Sequence, residues 1–170
     1  MQLRFSEDDI QHWAGRYRVP KEEDELMSLR DAVQARGYLL KSELRQLARW
    51  KSPRSAPRIE RNADGFIQEV TSFAFGAADE KCRIAALTLL EGVAWPTASV
   101  VLHLFHRNDY PILDFRALWS LQVNVPQQYQ YDFWHPYLLH CKSLANRAGV
   151  SMRVLDRALW QHSKEQQPAA

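Results

Sequence analysis

Leu89-Leu90-Glu91-Gly92-Val93-Ala94-Trp95-Pro96-Thr97-Ala98-Ser99-Val100-Val101-Leu102 is the most informative run of this sequence. It follows an apolar helical pattern that carries Ile84, Leu87 and Leu90. It then crosses a short turn with a glycine and enters a second apolar run through Phe105. Gly92 supplies the positive φ or the close backbone approach that a tight turn between helices requires. Pro96 suits an early helical position, where its missing N–H costs little. Two helices joined in this way leave the first amides of the second without intrahelical acceptors, and such a terminus attracts a phosphate.

Helical spacing extends outward from this hairpin in both directions. Ser6 reads as an N-cap for a helix through Trp13 and Tyr17, and Pro20 opens a second helix with Leu26, Leu29 and Val33 inward and Gly37 as its stop. Lys41–Lys51 is a third, with Leu44, Leu47 and Trp50 spaced by three. The prolines and serines between Ser52 and Asn62 predict a loop. A helix over Asp64–Phe75 comes next, with Ile67, Val70 and Phe73 inward. Downstream of the hairpin, a helix from about Leu113 to Leu121 carries Asp114 in its first turn, and two more span Asp132–Ala148 and Ser151–His162. The polar tail from Lys164 to Ala170 reads as frayed. No repeat or sustained alternation is present, and Val123-Asn124-Val125 is too short for a strand. The expected fold is all-α, a single domain (1–170) of about eight helices with a helix-hairpin-helix over about 79–105.

Composition bounds the function without choosing it. The chain has 170 residues, 46% of them hydrophobic and 25% charged, with a net charge of +2. That balance admits a nucleic-acid partner only if the charge is concentrated locally. It is concentrated: seven basic residues, Lys41, Arg45, Arg49, Lys51, Arg54, Arg58 and Arg61, stand against two acids between 41 and 61. Arg45 and Arg49 share a helical face by their spacing, and with Lys51, Arg54 and Arg58 they form a surface suited to a phosphate backbone. A solvated charged face is the alternative reading. Trp13, Tyr38, Trp119, Tyr131 and Trp134 could line a base pocket, although aromatics at helical spacing usually build a core.

Other chemistries lack their residues. Cys82 and Cys141 form no CxxC pair and read as reduced thiols, which excludes four-cysteine metal sites. The six histidines make no HExxH, and no GxSxG or GxxxxGK[ST] occurs, so neither a metal nor a cofactor is expected. The N-terminus has no apolar signal region, and the run Ala98–Phe105 is too short to span a membrane. A cytoplasmic location is the expectation.

The hairpin and the segment through Leu121 resemble the helix-hairpin-helix superfamily of base-excision DNA glycosylases, whose hairpin reads approximately Leu-Pro-Gly-Val-Gly-x-Lys-Thr-Ala. Leu90, Gly92, Val93, Thr97 and Ala98 stand at matching positions. Pro96 takes the lysine position, and eighteen residues on, Asp114 takes the place of the family's essential aspartate, preceded by Pro111-Ile112-Leu113. The resemblance covers about 40 residues, from Cys82 to Leu121. It implies that the amides of Gly92 and Ala94, with Thr97 at the start of the helix, hold a phosphate of duplex DNA. It further implies that a base is flipped into a cleft and that Asp114 stabilises the oxocarbenium-like sugar or activates water. Proline at the lysine position excludes a Schiff base there, so the implied hydrolase is a monofunctional glycosylase without lyase activity. Ala94 replaces the second glycine, and Glu91 adds a negative charge beside the turn. Three functions stand as expectations: a DNA glycosylase, a non-catalytic DNA-binding relative in which Asp114 is an ordinary helix cap, or a helical protein-interaction module.

Overall fold

The computed structural model describes residues 1–168, and every regular element among them is helical, with no strand. Eleven α-helices and one short 3-10 helix are present among the described residues, more than the eight or so expected. Two local events account for most of the difference. The helix expected from Pro20 to Gly37 is divided into α2 (Lys21–Ser28) and α3 (Arg30–Arg36). The Ser28 hydroxyl donates to the Glu25 carbonyl at 2.6 Å, giving the backbone there a competitor to the helical ladder. The expected loop from Ser52 to Asn62 contains one helical turn, α5 (Ala56–Ile59), with Pro57 in its first turn and Ala56 and Ile59 buried.

The contacts divide the chain into two units, residues 19–108 and residues 1–18 with 109 onward. In the first, α4 (Lys41–Lys51), α6 (Asp64–Gly76), α7 (Glu80–Leu87) and α8 (Trp95–Phe105) join α2, α3 and α5. Every residue of α8 from Thr97 to Phe105 is buried, the pattern of a central helix, and α3, α4 and α7 pack around it. Its C-terminal carbonyls are capped from α3. Arg30 donates to the carbonyls of His103 (3.3 Å), Leu104 (3.1 Å) and His106 (3.1 Å), and Gln34 donates to that of His106 (3.1 Å). A guanidinium there satisfies orphan acceptors and complements the negative end of the helix. On α6 the buried face is Ile67, Val70, Thr71 and Ala74, while Phe73, expected inward, is 57% exposed. Phe73 lies six residues from Ile67, a rotation of about 600° that carries it off the face that Ala74, seven residues on, completes.

The other unit holds α1 (Ile10–Arg16), α9 (Phe115–Ser120), α10 (Tyr131–Ala148) and α11 (Met152–Gln166). Helix α11 packs on α1, α9 and α10, with Leu155, Ala158 and Leu159 buried. Ser151 caps α11 through its hydroxyl, as the sequence predicts, whereas Ser6 caps the 3-10 turn Glu7–Asp9 that precedes α1, and Asp9 at the start of α1 makes no side-chain cap. The Tyr137 hydroxyl donates to the Ile112 carbonyl at 2.6 Å, and Asp156 accepts from the Ile112 amide at 3.1 Å, fixing the extended chain ahead of α9. The amides of Gln2 and Arg4 donate to the carbonyls of Leu121 and Ser120 and tie down the N-terminus. Helix α11 reaches Gln166, so Lys164 continues a helix where fraying was expected, and the last two residues of the expected tail lie outside the described residues. No helix is long and apolar enough to cross a membrane among the described residues.

Candidate nucleic-acid interface

Helices α7 and α8 meet across the turn of residues 88–94. Asp79 caps α7 by accepting from the Cys82 amide at 2.8 Å. The Thr88 hydroxyl donates to the Ala85 carbonyl as the helix ends, and the Val93 amide closes a tight loop onto the Leu90 carbonyl at 3.0 Å. Pro96 occupies the second position of α8. The first amide of α8 to rejoin the ladder is Ala98, which donates to Ala94 at 2.8 Å. The amides of Gly92, Ala94 and Thr97 therefore have no protein acceptor among the described residues. Unpaired amides at the positive end of a helix are the physical basis of anion binding. Ala94 is exposed and Gly92 is half-buried, whereas Thr97 is 3% exposed as a whole residue, so Gly92 and Ala94 are the amides of the turn that a ligand can reach.

Gly92 is glycine for two reasons. Its φ is +86°, and a Cβ there would stand 2.9 Å from the Ser55 carbonyl oxygen, 3.0 Å from Ile59 Cδ1 and 3.2 Å from Arg58 Cβ. Helix α5 is thus pressed against the hairpin turn, and this contact draws the basic segment to it. Arg54 and Arg58 are exposed there and have no ion pair among the described residues. Arg49 is likewise exposed on α4, while Lys51 is half-buried at its end. Arg45 is engaged by Glu60 at 3.0 Å, and Arg61 reaches Glu91, the acid of the turn, at 3.4 Å. Of the five basic residues singled out in the sequence, the structure sets the Cβ of Arg58 against Gly92 and commits Arg45 to a carboxylate.

Asn62 is the residue that sequence reasoning missed. Its side chain is 5% exposed; Oδ1 accepts from the Glu91 amide at 2.9 Å, and Nδ2 donates to the Glu91 carbonyl at 3.0 Å and to the Ile59 carbonyl at 3.0 Å. One amide group thereby locks α5 to the turn. An asparagine at the end of a proline-rich loop signals a turn, and nothing in its neighbours points to a partner 29 residues away.

Asp114 belongs to the other unit. It is extended (φ −138°, ψ 142°) and caps α9, its Oδ1 accepting from the Arg116 amide at 2.9 Å. It therefore precedes the helix, whereas the sequence places it in the first turn. Arg116 turns toward rings, with its guanidinium 5.1 Å from Phe115 and 5.3 Å from Trp160. Among the described residues, no group of three or more His, Cys, Asp or Glu side chains could hold a metal ion. The chain matches no protein-family model, no curated protein and no solved structure.

Proposed function

We propose that this protein binds duplex DNA through the hairpin turn of residues 88–94 and the basic segment packed against it. The observation that carries the reading is the contact of α5 with Gly92. It brings the backbone of the segment that carries exposed, unengaged Arg54 and Arg58 against the turn whose amides of Gly92 and Ala94 have no protein acceptor among the described residues. Amides fix one phosphate in a defined geometry, and neighbouring arginines neutralise the next ones along the strand. Base excision is the catalytic extension of this reading, drawn from the resemblance to glycosylases. In it, ionised Asp114 stabilises positive charge on the sugar as the glycosidic bond breaks, and no lysine is available at Pro96 for strand cleavage.

Titration of a labelled duplex at several salt concentrations tests the binding. The wild-type affinity is expected to fall steeply with salt, and Arg54→Gln with Arg58→Gln should lower the slope of log K against log salt by about 0.9 per phosphate contact removed. An affinity indifferent to salt and to both substitutions overturns the proposal in favour of a protein-interaction module. A screen of duplexes with modified bases, followed by alkali, tests the extension. Breaks that vanish in Asp114→Asn while binding persists support it; no base release from any duplex leaves a DNA binder without catalysis.

A further inference from the structure

At the opposite end of α8 from the hairpin turn, a cavity of about 440 Å³ opens among the last turns of α3, α6 and α8 and the first turn of α7. That volume falls within the usual range for a small-molecule site. The half-buried ring of Phe75 supplies flat apolar wall, and Gln34, Ser72 and Asn108 supply polar edges. Two guanidinium groups line it. Arg83 is buried, paired with Glu80 at 2.9 Å and donating to the Ala77 carbonyl, so it is held in place. Arg107 is exposed at the rim and has no ion pair among the described residues. No carboxylate is among the lining side chains.

Helix C-termini would by themselves repel an anion. Here carbonyls at two of these ends are already occupied, those of α8 by Arg30 and Gln34 and that of Ala77 after α6 by Arg83. His106 contributes no charge at neutral pH, since burial and the nearby Arg83 hold its imidazole below the ordinary histidine range. Its Nδ1 accepts from the Asn108 amide at 2.9 Å. Glu80 offsets the charge of Arg83, so the unpaired cation among the lining residues is Arg107, beside the ring of Phe75.

We propose that this cavity binds a small aromatic phosphate of about nucleoside-monophosphate size, its ring on Phe75 and its phosphate on Arg107. This site shares no residue with the proposed DNA-binding surface, so the two readings stand or fall separately. Calorimetric titration of the full chain with phenyl phosphate, adenosine monophosphate and inorganic phosphate tests it. Saturable binding of the two aromatic phosphates is expected, at least about tenfold tighter than inorganic phosphate. Arg107→Gln should weaken it at least about tenfold. Gly76→Leu, where an added Cβ meets nothing within 4 Å, should fill the space and abolish binding without loss of fold. Absence of saturable binding by either aromatic phosphate overturns the proposal. So does inorganic phosphate binding equally well, or an affinity unchanged by Arg107→Gln.

Discussion

The side chain of Asn62 pairs with the backbone of Glu91 on both sides, accepting from its N–H at 2.9 Å and donating to its C=O at 3.0 Å. One buried amide thus does for the hairpin turn what a neighbouring strand does for a residue in a sheet. The turn keeps its shape because it is held from outside, and the basic segment that precedes Asn62 is anchored there by the same bonds.

Asn62→Ala removes both of these bonds and the one to Ile59. The expected cost is about 2 kcal/mol, since each neutral hydrogen bond contributes on the order of 1 kcal/mol and water can reach exposed Glu91 to replace part of the loss. Urea denaturation monitored by circular dichroism measures it. An unchanged midpoint would show that α5 and the turn hold one another without Asn62. Duplex affinity should fall alongside stability if the turn's shape matters for phosphate binding.

Gly92 and Gly149 both have positive φ, +86° and +63°, but only Gly92 faces atoms that a Cβ would strike. Gly149→Ala is expected to cost about 1 kcal/mol, the penalty of a left-handed residue alone. Gly92→Ala adds the approach to the Ser55 carbonyl oxygen at 2.9 Å and is expected to cost about 3 kcal/mol or more. Equal losses in thermal or urea unfolding would mean that α5 shifts freely, and would weaken the case that it carries Arg58 to the turn.

Local signals were readable where the chain settles its own hydrogen bonds. Gly37 and Gly149 end helices in left-handed conformations, Ser151 caps with its hydroxyl, and α4 runs from Lys41 to Lys51 as its spacing predicts. Features decided by distant partners were not readable. Prolines at 53 and 57 argue for a loop, yet burial of Ala56 and Ile59 gains enough to form the turn of α5. Gly92 and Arg58 each stood out in the sequence, but their adjacency depends on that packing. Asp114 reads equally as a residue of the first turn or as a cap, and the extended chain held by Tyr137 and Asp156 makes it a cap.

Glu91 is the one acid of the hairpin turn, and it engages Arg61 at 3.4 Å with both side chains exposed. Glu91→Gln should strengthen duplex binding several-fold, by removing a negative charge beside the phosphate site and releasing Arg61. Its effect on folding should stay under about 1 kcal/mol, because exposed ion pairs contribute little. Binding curves for the two proteins at low and high salt decide the matter. A weaker complex at low salt would mean that the phosphate lies elsewhere.

Acid should weaken the fold through its buried imidazoles. His162 is enclosed by the rings of Phe5, Trp13 and Trp119 at 4.5, 5.0 and 5.5 Å between centroids. The Ser120 hydroxyl donates to the Leu159 carbonyl at 2.7 Å, so its oxygen accepts from His162 Nδ1 at 2.9 Å. Burial, assisted by the positive Arg4, lowers the His162 pKa from its ordinary 6.5; burial is also the main cause that lowers His106 and His140. The unfolded chain therefore binds protons that the folded chain refuses, between about pH 6.5 and the depressed folded values. Stability is fully present above that window and is lost as the pH falls through it. The urea midpoint should accordingly be lower at about pH 5.5 than at about pH 7.5, and the difference should shrink in His162→Phe, which keeps a ring among the three aromatics but cannot take a proton. Ring-proton titration by NMR supplies the direct check: a His162 midpoint at or above 6.5 would remove the basis for the effect.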